Sequence, residues 1–115
     1  MGMQFLFALS NFGGLQTPRT PAEIKCIDNK NYVFTKDNVD VTSNFIKGAE
    51  EVLELAKKLK IRTAILQPRS PSCGCGKIYN GNFENKLVDG NGILAQLLID
   101  NGIEVISADE YVTAQ

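Results

Sequence analysis

The sequence predicts an α/β fold: a small open parallel sheet flanked by helices, with a short β-hairpin inserted. Three observations predict it. A long amphipathic helix pattern runs straight into a short β-rich stretch, a second helix pattern ends on glycine before another such stretch, and Gly- and Pro-rich loops separate them. Strands that alternate with helices in this way pair in parallel through right-handed crossovers.

Taken in order, residues 4–9 form a short apolar run before a glycine pair, which predicts a buried strand. The loop Asn11-Phe12-Gly13-Gly14-Leu15-Gln16-Thr17-Pro18-Arg19-Thr20-Pro21 follows. Residues 24–27 and 32–35 flank the turn formers Asp28-Asn29-Lys30-Asn31 and predict a hairpin. Asp40 or Thr42 is placed to cap a helix running to about Lys60. Phe45, Ile46, Ala49, Val52, Leu53, Ala56 and Leu59 recur along it at helical spacing, and Lys47, Glu50, Glu51, Glu54, Lys57 and Lys58 take the other face. Its charges run from glutamates to lysines, which suits the helix dipole. Residues 63–66 predict a strand, residues 93–101 a helix stopped by Gly102, and residues 103–106 a last strand before a frayed acidic tail.

Composition narrows the function classes. The chain has 115 residues, 43% hydrophobic and 22% charged, as an ordinary globular domain has, and one domain is expected over residues 1–115. A net charge of -1 gives no electrostatic basis for binding nucleic acid or an anionic membrane. No apolar run approaches the roughly 18 residues of a membrane span, and residues 1–9 lack the features of a signal peptide, so a cytoplasmic location is expected. The three cysteines, Cys26, Cys73 and Cys75, do not form a paired framework and are expected as thiols or metal ligands. Without histidine, acid–base chemistry near neutrality would fall to a perturbed Cys, Asp, Glu or Lys.

In open parallel sheets, ligands bind beyond the carboxyl ends of the strands. Two loops leave such ends, the one carrying Thr17 and Arg19 and the one reading Gln67-Pro68-Arg69-Ser70-Pro71-Ser72-Cys73-Gly74-Cys75-Gly76-Lys77. Glycine lets main-chain amides approach a ligand, Ser70 and Ser72 add donors, and Lys77 adds charge. A small polar or anionic ligand fits this pattern. Cys73 and Cys75 could ligate a soft metal or an iron–sulfur cluster, or one could be a thiolate activated by Arg69 and Lys77. Against these stands a structural reading in which Gly and Pro shape a turn and the thiols pack as small hydrophobes. Cys26 reads as structural, Glu23 as a solvated or loop-fixing carboxylate, and Tyr79 and Phe83 as packing residues.

Several motifs in one order carry a resemblance. They are Gly13-Gly14-Leu15-Gln16-Thr17-Pro18-Arg19-Thr20-Pro21-Ala22-Glu23-Ile24, Asp40-Val41-Thr42 with Phe45 and Gly48-Ala49-Glu50, Ser70-Pro71-Ser72-Cys73-Gly74, Lys77-Ile78-Tyr79-Asn80-Gly81 with Phe83, and Gly90-Asn91-Gly92. Over residues 12–105 the chain resembles the bacterial domain-of-unknown-function family 523, which includes the thiouracil desulfurases. The resemblance implies a Rossmann-like fold. In the desulfurase members it implies an iron–sulfur cluster held by three cysteines, with one iron open to take sulfur from a thiolated pyrimidine and with a serine and a glutamate assisting. Ser70 matches the assisting serine and Cys73 the third cluster cysteine.

The chain also departs from that pattern. The family's N-terminal strand-loop-helix unit has no counterpart, and its Cys-Pro-Glu segment falls on Ala8-Leu9-Ser10. Three functional readings stay open. In the first, the chain binds a small ligand through Thr17, Arg19, Ser72, Gly74 and Lys77, with Ser70 as the residue of any remaining catalysis. In the second it is a desulfurase whose [4Fe-4S] cluster, not expected in a monomer, is completed between subunits from Cys73, Cys75 and Cys26. In the third it is a structural or interaction remnant. A sheet lacking a neighbouring strand favours association, so a homo-oligomer is expected.

Overall fold

The computed structural model describes residues 5–7 and 21–113. Strand β1 (Phe5–Phe7) is followed by the hairpin β2 (Ala22–Ile27) and β3 (Lys30–Thr35), then helix α1 (Thr42–Lys58) and strand β4 (Thr63–Leu66). A second hairpin, β5 (Lys77–Tyr79) and β6 (Leu87–Asp89), leads to helix α2 (Ile93–Asp100), strand β7 (Glu104–Ser107) and helix α3 (Ala108–Thr113).

The main sheet has three parallel strands in the order β1-β4-β7, with Leu6 opposite Ala64 and Ala64 opposite Val105. β4 lies between the other two, and Thr63, Ala64, Ile65 and Leu66 are all buried, which explains a strand with no polar alternation. Both crossovers step the same way across the sheet. Right-handed connections of that kind put their helices on one face, and α1 and α2 do pack together. Val52, Ala56, Ala64, Leu66, Leu94 and Leu98 form the core between helices and sheet. A second cluster, Ile24, Val33, Val41, Phe45 and Ile78, fixes the two hairpins to the start of α1.

The predicted α/β class and parallel strands are present, as is the first hairpin. It turns on Asp28 and Asn29, whose φ angles of 51° and 65° are those of a tight two-residue turn. The stop at Gly102 also holds. Gly102 has φ 81°, and Ile103 N donates to Leu98 O at 3.0 Å, closing the helix in a Schellman arrangement.

Several expectations need correction. The N-cap of α1 is Val41, which makes no side-chain cap; Asp40, one position earlier, accepts the first helical amide, Thr42 N, on Oδ1 at 2.9 Å, and the Thr42 hydroxyl accepts Val33 N (2.9 Å) and donates to Asp40 Oδ1 (2.6 Å). The helix ends at Lys58, with Lys60 in a left-handed conformation (φ 57°) and Ile61 N donating to Ala56 O. Its first turn holds no acidic residue, so only the lysine end complements the dipole. Ile46 and Leu59 are exposed and do not belong to the buried stripe. The sequence pattern predicts no element at β5 and β6, and the expected frayed tail contains α3. Among the described residues, no helix is long and apolar enough to cross a membrane.

Candidate functional site

The loop of residues 67–76 leaves the carboxyl end of β4, next to the carboxyl end of the parallel strand β1. Thr17 and Arg19 lie outside the described residues.

Local chemistry shapes the 67–76 loop. Ser70 Oγ accepts Cys73 N at 2.7 Å and Ser70 O accepts Gly74 N at 2.9 Å, so one serine closes a turn with both its side chain and its main chain. The loop then caps α2. Pro71 O accepts Ile93 N (2.8 Å), and Ser72 O accepts Leu94 N (2.9 Å) and Ala95 N (3.1 Å). The first amides of a helix have no partner inside it; here loop carbonyls supply them. Asn91 ties the far side, its Oδ1 accepting Gly76 N at 2.8 Å. Such close approach requires Gly92, where a Cβ would stand 2.5 Å from the Ser72 carbonyl carbon, and Gly74, where it would stand 2.7 Å from Ser70 O.

This geometry revises the expected concavity of main-chain donors. The amides of Cys73, Gly74 and Gly76 all donate within the loop or to Asn91. Ser70 and Ser72 are half-buried in this loop. A hydroxyl has one proton and two lone pairs, so Ser70, while accepting from Cys73, still carries a proton to donate.

The expected cations are committed elsewhere. Arg69, in a left-handed conformation (φ 66°), pairs with Asp109 Oδ2 of α3 at 3.6 Å, and Lys77 Nζ meets Asp89 Oδ1 across the second hairpin at 2.5 Å. Neither is arranged to activate a thiol. Burial, with the negative charge of Glu110, pushes the Cys75 thiol above its ordinary range, and its Sγ lies 3.9 Å from Val105 O. Cys73 is 2% exposed and belongs to the core beneath α2, with Sγ 3.8 Å from Ser72 Oγ. Cys26 is exposed on β2. Tyr79 and Phe83 are half-buried.

Glu23 takes the loop-fixing role. It is buried, and its Oε1 accepts Gly81 N (3.0 Å) and Phe83 N (3.1 Å). The sequence reading missed Asn91 as a positioning residue, although its place between Gly90 and Gly92 marks a turn with a polar side chain to spare. It also missed an open groove of 410 Å³ between α1 and α2, which Ile46, Glu50, Asn91, Gln96 and Asp100 help to line. Its lining residues come from widely separated segments, so no local pattern announces it.

Comparison with known proteins fits this loop-and-sheet arrangement. The family model for 2-thiouracil desulfurase matches residues 11–110. The uncharacterized protein YbbK of Bacillus subtilis (strain 168) is 40% identical over 104 residues, covering 85% of this chain and 69% of YbbK. Among solved structures, the [4Fe-4S]-dependent thiouracil desulfidase TudS aligns with a TM-score of 0.79 and 44% identity, over 88% of this chain and 64% of that one. The chain thus spans just under two thirds of the length of TudS.

Proposed function

We propose, since this chain belongs to the 2-thiouracil desulfurase family, that it binds a thiolated pyrimidine at the carboxyl rim of the parallel sheet, against the loop of residues 67–76. Ser70 is the residue we assign to the ligand's polar edge. One observation carries the assignment: the hydrogen bond from Cys73 N to Ser70 Oγ at 2.7 Å fixes the hydroxyl while leaving its proton to donate. A thione or carbonyl is an acceptor suited to that proton.

The charge arrangement favours a neutral polar ligand over an anion. Arg69 and Lys77 already face Asp109 and Asp89, so an anion would have to displace a carboxylate to reach either cation. Thr17, Arg19 and Ser72 complete the proposed binding set, while Gly74, whose amide donates to Ser70 O and whose carbonyl accepts Gly92 N, shapes the loop. Thermal-shift titration with 2-thiouracil and uracil tests the reading. A ligand at one hundred times its Kd stabilises a fold by about 2.7 kcal/mol, so 2-thiouracil should raise the melting temperature. Ser70→Ala should weaken binding roughly tenfold, the worth of one hydrogen bond. No shift with either pyrimidine contradicts the reading.

A further inference from the structure

The TudS neighbour depends on a [4Fe-4S] cluster, and clusters of that kind are held by cysteine thiolates. The donor set of this chain does not fit one. There are three cysteines and no histidine. Residues 1–4, 8–20, 114 and 115, the only ones outside the described structure, contain no Cys, His, Asp or Glu. Every ligand-type side chain of this kind is therefore among the described residues, and no three of them converge as a metal site.

The sulfurs also point apart. Cys73 Sγ lies in the core with Leu94 and Leu98 and faces Ser72, Cys75 Sγ faces the Val105 carbonyl of β7, and Cys26 sits exposed on the first hairpin. Freeing Cys73 means opening the turn that Ser70 closes and that caps α2. A second copy of the chain would add thiols without freeing this one.

We infer that these 115 residues build no [4Fe-4S] cluster from their own cysteines, and that the loop thiols are packing and shape elements of a cluster-free base-binding site. The inference rests on the family reading above for its ligand. A cluster-dependent reaction at this loop would need thiolates from outside these 115 residues.

The test is anaerobic reconstitution of the 115-residue chain with iron and sulfide, followed by desalting and metal analysis. Iron and acid-labile sulfide should equal those of a Cys26→Ser/Cys75→Ser variant treated in parallel. About four of each per chain, the content of one cluster, or about two per chain for a cluster shared by two copies, would overturn the inference. Thiol labelling of the unmodified native chain gives a readout independent of any variant's folding. Cys26 should react first and Cys73 on the order of a hundredfold more slowly, since a core thiol is reached only through local opening; equal rates would overturn the assignment of Cys73 to the core. Binding of 2-thiouracil by the iron-free chain supports both proposals. Iron-free chain that binds neither pyrimidine supports the absence of a cluster and removes the base-binding site.

Discussion

Glu23 on β2 and Gly81 in the second hairpin are 58 positions apart in sequence, yet the Glu23 carboxylate accepts the Gly81 amide at 3.0 Å and the Phe83 amide at 3.1 Å. A buried carboxylate thus sets a loop that its own sequence does not. Glu23→Ala leaves two amides without a partner, and hydrogen bonds to charged groups are worth about 1.5–3 kcal/mol each. The urea midpoint should fall by the equivalent of about 2–4 kcal/mol, and Glu23→Gln, which keeps an acceptor oxygen, should lose less. Equal losses in the two variants would show that the amides do not depend on that oxygen.

Gly92 and Gly76 offer a matched comparison. At Gly92 a methyl group meets the Ser72 carbonyl carbon at 2.5 Å and Cys73 N at 2.9 Å, both backbone atoms that cannot step aside. At Gly76 it meets open space, and only the positive φ of 86° resists it. Gly92→Ala should cost about 1–3 kcal/mol through overpacking and weaken pyrimidine binding by moving the loop. Gly76→Ala should cost about 1 kcal/mol through backbone strain alone. Denaturation and ligand titration of both variants check the ranking.

Thr42 joins the first hairpin to α1, its hydroxyl accepting Val33 N at 2.9 Å and donating to Asp40 at 2.6 Å. Thr42→Val keeps the shape and removes both bonds. A loss of about 1–2 kcal/mol is expected from the unpaired Val33 amide, with Thr42→Ser close to the parent protein. A neutral Thr42→Val result in urea denaturation would rule out this link.

Acid should destabilise the fold by a definite route. The Thr42 hydroxyl and amide hold the Asp40 carboxyl below the usual range, Lys77 does so for Asp89, and the Ser107 hydroxyl does so for Asp109. Unfolded aspartates titrate near pH about 3.9. Because the folded values lie lower, their contribution is complete above that pH and is lost as pH falls through the folded values. The urea midpoint should stay level from neutrality to about pH 5 and fall below about pH 4. All three groups are at the surface, so the fall should be shallow. A midpoint that rises on acidification contradicts these assignments.

Much of the fold was legible where residues act locally. The stripe of Phe45, Ala49, Val52 and Ala56 marks α1, the Asp28-Asn29 turn marks the first hairpin, and the Thr63-Ala64-Ile65-Leu66 run marks the central strand. The second hairpin was not legible. β6 is a three-residue strand exposed along its length, and its loop places Phe83 and Asn85 at positive φ, held by distant Glu23. At the candidate site, the Gly-Cys composition located the loop after β4. It could not say where the donors point, since that depends on Asn91 and on the first turn of α2. The same holds for Arg69, whose partner Asp109 lies on a helix that the sequence reading took for a frayed tail.

The most direct test of the account is the position at which a thiolated pyrimidine touches the protein. Amide chemical shifts followed by NMR during titration with 2-thiouracil should move together at Ser70, Ser72, Cys73 and Gly74, with α1 unaffected. Shifts confined to the groove lined by Glu50, Gln96 and Asp100, or no shifts at all, would contradict it.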